Sequence, residues 1–331
     1  MNIILSGVKP TGIPTLGNYL GAFKSFAKMQ QEMKDYEIFV ADMHAITVPQ
    51  NPQELRKNIK NVAALYLACG LSPENLTLFL QSEISEHLEL GYIMQSLCYM
   101  GELERMTQFK DKMAKNETSI TSALFTYPAL MAADILLYDA KYVPIGDDQK
   151  QHLELARDLA VRFNNRFGET FTVPEGIITK TGARIMDLQN PSKKMSKSVD
   201  GDKGCIYLLD PINVVKKKIK SAVTDNLAKV HYDVENQPGV SNLMTIYSAI
   251  TELSYADIEA KYEGKGYGDF KLAVGEATAD ALAPVQTRFA ELMADKAGLE
   301  AQMKRGAEEA SYYARRTLSK IQKKLGFVQI R

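Results

Sequence analysis

The sequence predicts an α/β fold: a Rossmann-like parallel sheet with a helical insertion, followed by a mainly α-helical C-terminal domain. Three observations carry this reading. Short apolar, β-branched runs alternate with helical patterns through the first half. The connections between them are short, as in right-handed βαβ units whose ligands sit at the carboxyl ends of the strands. Past Ser198 only helical patterns recur.

Taken in order, Ile3-Ile4-Leu5 is the first strand, and Ser6 to Pro14 is rich in turn formers. Thr15 then caps a helix whose apolar face runs Leu16, Tyr19, Leu20, Phe23, Phe26 and Ala27. Glu37 to Ala41 predicts a buried second strand ending at Asp42-Met43-His44. Asn51 caps the next helix, Pro52 takes its first position, and Leu55, Ile59, Val62, Ala63 and Tyr66 extend its face to a stop at Gly70. Leu76 to Leu80 is a third strand. A nearly continuous helical signal from Glu86 to Tyr138 reads as an insertion, with Pro128 starting its last helix. A strand over Lys141 to Ile145 and a helix from Asp147 to Phe167 follow. Pro211 to Ala222, Val240 to Leu253, Tyr255 to Tyr262, Asp269 to Met293 and Leu299 to Leu325 read as helices. Gly306, Ala310 and Ala314 recur at every fourth residue of the last one, which predicts close packing against the first domain. Gly264-Lys265-Gly266-Tyr267-Gly268 follows no strand and reads as a turn between helices.

Composition narrows the function classes. At 331 residues, 45% hydrophobic and 24% charged, the chain can build a large core. Lys and Arg total 40, as do Asp and Glu, which excludes nucleic-acid binding through bulk charge. Local patches remain: Lys216-Lys217-Lys218-Ile219-Lys220, and Arg315-Arg316 with Lys320, Lys323 and Lys324, unless these are solvated helix faces. Cys69, Cys98 and Cys205 are odd in number and widely spaced, which suits a reducing cytosol and argues against disulfides or structural zinc. No signal segment or membrane-length apolar run is present, so a cytoplasmic protein without membrane contact is expected.

Two motifs carry chemistry. Lys194-Met195-Ser196-Lys197-Ser198, after Pro191-Ser192-Lys193, offers ammonium and hydroxyl donors suited to the oxygens of a departing pyrophosphate. Upstream, Thr15-Leu16-Gly17-Asn18 opens a helix. Gly17 leaves room for a flat ring, and Asn18 supplies a neutral donor beside the positive helix end. Together they resemble the paired signatures of class I aminoacyl-tRNA synthetases.

A third pattern concerns the substrate. Tyr127, Met131, Asp134 and Tyr138 fall on one helix face. An aspartate among Leu130, Ile135, Leu136 and Leu137 either faces water or is buried with a partner. Tyr127-Pro128-Ala129-Leu130-Met131-Ala132-Ala133-Asp134-Ile135-Leu136 and Gly146-Asp147-Asp148-Gln149-Lys150-Gln151-His152 resemble tryptophanyl-tRNA synthetases of bacterial type, as does most of the chain from Ser6 to Phe327. The resemblance implies a buried Asp134 that accepts the indole N–H, in a pocket lined by Tyr127, Met131, Gln149, Gly7 and His44. A buried acceptor of this kind rejects a ring without a donor.

The resemblance further implies ATP contacts from Lys9, Pro10, Thr11, Gly17, Asn18, Gly146, Asp147, Asp148, Ile185 and Lys194, Met195, Ser196, Lys197 and Ser198. Lys194, Lys197, Asn18 and Lys112 would be catalytic. Mg2+ would arrive with ATP, no protein metal site is expected, and the partners are L-tryptophan, ATP, tRNA(Trp) and a second copy in a homodimer. His44 and His152 are expected to be structural or pocket-lining, since no step demands a base. The implied organisation is a catalytic domain over 1–190 with its insertion at about 84–140, a mobile loop at 191–204, an anticodon-binding region at 205–293 and a C-terminal helix at 294–331. Lys9, Leu5, Met43 and Asp147 depart from the family pattern of glutamine, phenylalanine, glutamine and glutamate. A tyrosyl-tRNA synthetase or a small-molecule adenylate-forming ligase of the same superfamily is the alternative, and a non-catalytic relative would have lost part of the phosphate loop.

Overall fold

The computed structural model describes residues 4–32, 36–114, 121–146, 149–178, 184–196, 202–328 and 330. Strands β1 (Ile4–Val8), β2 (Tyr36–Val40), β3 (Leu76–Leu80), β4 (Tyr142–Ile145) and β5 (Glu175–Ile178) form one sheet in the order β3-β2-β1-β4-β5. Every pairing is parallel, with Ile4 opposite both Tyr36 and Tyr142 and Tyr36 opposite Leu76. The chain winds outward from β1 in both directions. The strand order therefore reverses between β1 and β4, where a crevice opens at the carboxyl ends.

The period-two alternation of the strands divides the core. Ile4, Ile38, Val40, Leu76 and Leu78 face one apolar layer, and Leu5, Phe39, Phe79, Val143 and Ile145 face the other. The first layer is covered by α1 (Leu16–Asn18), α2 (Lys24–Glu32) and α4 (Pro52–Ala68), while α3 (Asp42–Ala45) follows the end of β2. The second is covered by the insertion, α5 (Glu86–Leu97), α6 (Met100–Glu104), α7 (Thr107–Ala114) and α8 (Ser122–Leu137), together with α9 (Lys150–Phe167). Helices α10 (Ile212–Lys220), α11 (Pro238–Thr251), α12 (Tyr255–Lys261) and α13 (Tyr267–Ala294) extend the first layer, and α14 (Lys296–Leu325) returns to the sheet.

Several elements differ from the sequence reading. β1 continues through Ser6-Gly7-Val8, because Val8 pairs with Val40 before the turn begins. β5 has no apolar alternation to announce it: Glu175 and Gly176 fill half of its positions. The insertion is a series of helices broken at Cys98-Tyr99 and Arg105-Met106. Its last helix starts at Ser122, where Thr121 accepts the Leu124 N–H at 3.3 Å, and Pro128 lies inside it. α9 begins at Lys150 with Gln149 as its cap, while Asp147 and Asp148 lie outside the described residues. After Asn18 the first helix widens into a π-helical turn over Tyr19–Phe23, a deviation that is frequent beside functional sites. Lys218 leaves the candidate basic patch: it is buried, with its ammonium 2.9 Å from Asp210 Oδ2 and from the Cys205 carbonyl.

Helix α14 closes the β3 edge of the sheet, an edge that would otherwise expose pairing groups. Gln302 donates to the Pro73 carbonyl at 3.0 Å, and Thr77 donates to Glu309 at 3.0 Å. A Cβ at Gly306 would lie 2.1 Å from the Leu78 carbonyl oxygen, whereas one at Gly268 would meet nothing within 4 Å. Gly306→Ala is expected to lower the urea midpoint by an amount worth about 1–3 kcal/mol through overpacking. Gly268→Ala is the control, expected to stay within about 0.5 kcal/mol of the parent or above it. Equal midpoints for the two variants would contradict the contact.

Candidate active site

A cavity of about 550 Å3 opens at the carboxyl ends of β1 and β4, within the usual range for small-molecule sites. Its walls include Leu5, Gly7, Lys9, Thr11, Asn18, Phe39, His44, Gln108, Tyr127, Met131, Asp134, Gln149, Lys194, Met195 and Ser196. Residues far apart in sequence thus meet in one crevice. Gly7 is required by its neighbour, since a Cβ there would fall 2.6 Å from the ring of Phe39.

One end of the cavity is built on α8. Tyr127, Met131 and Asp134 share its inner face, two turns deep. Asp134 is 2% exposed, so the water-facing alternative is excluded. Its carboxylate is held from three directions. His44 Nε2 lies 2.7 Å from Oδ2, His87 Nδ1 lies 2.7 Å from Oδ1, and Gln81 Nε2 donates to Oδ1 at 2.8 Å. Burial pushes this carboxyl up, but the two histidines outweigh it, led by the charge and hydrogen bond of His44, and hold it at about 2. Asp42 sets the spacing around this group: its carboxylate accepts the N–H groups of Met43 and Ser82, each at 3.0 Å, joining the ends of β2 and β3. His44 lines the cavity, whereas His152 is fully buried behind it against the Tyr127 hydroxyl.

The other end is polar. Thr15 and Asn18 form a reciprocal cap, the Asn18 N–H donating to Thr15 Oγ1 at 3.3 Å and the Thr15 N–H to Asn18 Oδ1 at 2.9 Å. Because the Asn18 oxygen is used inward, its amide nitrogen is the atom left for a ligand. The downstream segment is anchored beside this cap. The Met195 N–H donates to the Ile185 carbonyl at 3.0 Å and the Asp187 N–H to the Lys193 carbonyl at 2.8 Å. Met195 is 3% exposed and packs with Ile185 over Gly17, where a Cβ would lie 3.6 Å from Ile185 Cβ and 3.9 Å from Met195 Cβ. Lys9 stands between the two ends, its ammonium 5.2 Å from the centre of the Tyr127 ring, and burial lowers its pKa.

Of the residues singled out in the sequence, Lys9, Thr11, Asn18, Lys194, Met195, Ser196, Gly7, His44, Tyr127, Met131, Asp134 and Gln149 line the cavity. Pro10, Gly17, Gly146 and Ile185 sit outside its walls. Asp147, Asp148, Lys197 and Ser198 lie outside the described residues, as does the side chain of Lys112 on α7. The sequence reading missed Gln81, His87 and Gln108. Gln108 lies in the Gly101-to-Lys110 motif, but Gln81 and His87 are single polar residues beside apolar runs, with no spacing to mark them.

The low value at Asp134 has a consequence for folding. Its stabilisation is fully present above the ordinary value of 3.8 and is lost as pH falls through about 2. The amount is roughly 2 kcal/mol. In Asp134→Asn, stability measured by urea unfolding should fall less steeply between about pH 4 and pH 2 than in the parent; identical slopes would contradict the buried network.

The chain is similar to known proteins over nearly its whole length. A family model described as tRNA synthetases class I (W and Y) matches residues 1–283. A tryptophan–tRNA ligase from Oceanobacillus iheyensis is 56% identical over 326 residues, spanning 98% of this chain and 99% of that protein. The crystal structure of tryptophanyl-tRNA synthetase from Mycoplasma pneumoniae superposes with a TM-score of 0.91 at 40% identity, covering 98% of both chains. That of the Campylobacter jejuni enzyme, complexed with ADP and tryptophan, gives 0.83 at 35% identity over 98% of this chain and 99% of that one. The chain belongs to the class I tRNA synthetases of the tryptophan and tyrosine group, and within it to the bacterial tryptophan–tRNA ligases.

Proposed function

We propose that this tryptophan–tRNA ligase selects its amino acid at Asp134 and handles the phosphates of ATP between Asn18 and Lys194. The observation that carries the reading is the two-ended cavity. A buried carboxylate stands beside Met131 and Tyr127 at one end, and Asn18, Lys194 and Ser196 stand at the other. An indole ring in the apolar part gives its N–H to Asp134, and a ring without a donor leaves that acceptor unpaired.

The tryptophan carboxylate, ionised at neutral pH, attacks the α-phosphorus of ATP in line and expels pyrophosphate, leaving tryptophanyl-adenylate. No protein base is needed. Catalysis comes from positioning and from charge stabilisation by the Asn18 amide and the Thr15-capped helix end on one side, and by Lys194, Lys197 and Lys112 on the other. Lys9, Pro10, Thr11, Gly17, Gly146, Asp147, Asp148, Ile185, Met195, Ser196 and Ser198 complete the nucleotide site in this reading. Magnesium would arrive on the triphosphate, and among the described residues there is no group of three or more His, Cys, Asp or Glu side chains that could hold a metal ion. The terminal ribose hydroxyl of tRNA(Trp) then takes the aminoacyl group, with 205–293 reading the anticodon and 294–331 bracing the catalytic domain. A second copy would cover Leu88, Tyr92, Tyr99 and Met100, which stand exposed on or beside α5 and α6. A cytoplasmic location suits the substrates, and no helix among the described residues is long and apolar enough to cross a membrane.

Exchange of labelled pyrophosphate into ATP tests the reading. It should depend on tryptophan and proceed at background with tyrosine; equal support from both amino acids would sink it. Lys9, which departs from the glutamine implied by the family resemblance, supplies an additional cation to the α-phosphate or the substrate carboxylate. Lys9→Gln is expected to weaken ATP or tryptophan binding by about tenfold and to flatten its salt dependence. Unchanged affinities and an unchanged salt slope would remove Lys9 from the site.

A further inference from the structure

His87 is the least expected member of the Asp134 cluster. It is fully buried on α5, among the rings of Phe39, Phe79 and Tyr138, whose centres lie 5.7, 6.0 and 5.4 Å from its own. Both of its nitrogens are engaged. Nδ1 is 2.7 Å from Asp134 Oδ1, and Nε2 is 2.7 Å from the Tyr138 hydroxyl. Neither His87 nor Tyr138 lines the cavity, so each acts on a ligand only through Asp134.

We propose that Tyr138 and His87 form a relay that fixes which oxygen of Asp134 is offered to the substrate ring. The Tyr138 hydroxyl donates to His87 Nε2, which keeps the imidazole neutral with its proton on Nδ1, and that N–H donates to Asp134 Oδ1. A neutral His87 also avoids burying two imidazolium charges against one carboxylate. Gln81 shares the same oxygen at 2.8 Å, so Oδ1 is saturated. On Oδ2, His44 occupies one acceptor position at 2.7 Å and one remains for a ring N–H. Without the Tyr138 donor the Nε2 lone pair is left unpaired among buried rings, and the imidazole turns or takes up a proton to satisfy it, which alters its hold on Asp134 Oδ1. Asp134 then shifts, and the free acceptor on Oδ2 is no longer aimed at the ring. His87 and Tyr138 are thus positioning residues for ring selection. The relay rests on the reading of Asp134 as the indole acceptor.

Pyrophosphate exchange with L-tryptophan and with its analogue carrying sulfur in place of the ring N–H separates the two ideas. The wild-type chain should discriminate strongly against the analogue. In Tyr138→Phe, KM for tryptophan should rise about tenfold at unchanged kcat, while KM for the analogue stays nearly constant, so discrimination narrows by that factor. Parallel rises in both KM values, or an unchanged tryptophan KM, would overturn the relay. A wild-type chain that treats both substrates alike would overturn the Asp134 reading itself and, with it, the relay's effect on selection. A second measurement needs no variant at Tyr138. The 15N spectrum of histidine-labelled full-length protein, with His87 assigned by single substitutions at His44, His152 and His231, should show a neutral ring protonated on Nδ1. The Nε2–H tautomer or a doubly protonated ring would contradict the relay.

Discussion

A buried carboxylate is tolerable only when both of its oxygens are hydrogen-bonded, and the arrangement around Asp134 is the constraint from which the rest of this structure follows. Its partners come from separate parts of the chain: His44 just after β2, Gln81 just after β3, and His87 on α5. They converge only when β2 and β3 are paired in register and α5 and α8 pack together. Fold and the proposed substrate choice are therefore linked. An error in the sheet would leave an uncompensated charge in the core, and the same charge is the one proposed to choose the ring that enters the cavity.

The polar end of the cavity obeys a looser rule. Backbone hydrogen bonds join the Thr15 cap to the segment after the lysine-rich loop, the Leu16 N–H donating to the Ile206 carbonyl at 2.8 Å and the Leu208 N–H to the Pro14 carbonyl at 2.9 Å. The buried Lys218 ties that segment to α10 through Asp210 and the Cys205 carbonyl. The helical C-terminal region is thus joined to the polar end of the cavity by a chain of direct contacts. The Asp134 end lies on the opposite face of the sheet under α5 and α8, in a layer that α14 also joins through Ala310, Ala314, Leu318 and Ile321.

Much of this was legible in the sequence, for reasons that differ by residue. Thr15 and Asn18 announce a helix cap, and Lys194 to Ser198 announce a donor-rich loop, because local chemistry requires those residue types at those places. The parallel sheet followed from its apolar runs. What escaped were features set by tertiary contact. β5 has too few apolar residues to declare itself, and Lys218 looked like one cation in a row until packing buried it against Asp210. Asp134 could be identified as buried only through the family resemblance. His87 and Gln81, which make that burial possible, had no local signal at all.

The chain contains no tryptophan of its own, so the fluorescence of added L-tryptophan reports binding directly, in the absence of nucleotide and tRNA. Titration of the parent and of Asp134→Asn is the most direct test that Asp134 selects the ring. Loss of a charged acceptor should weaken tryptophan binding by about 10- to 100-fold. Equal affinities would contradict the account.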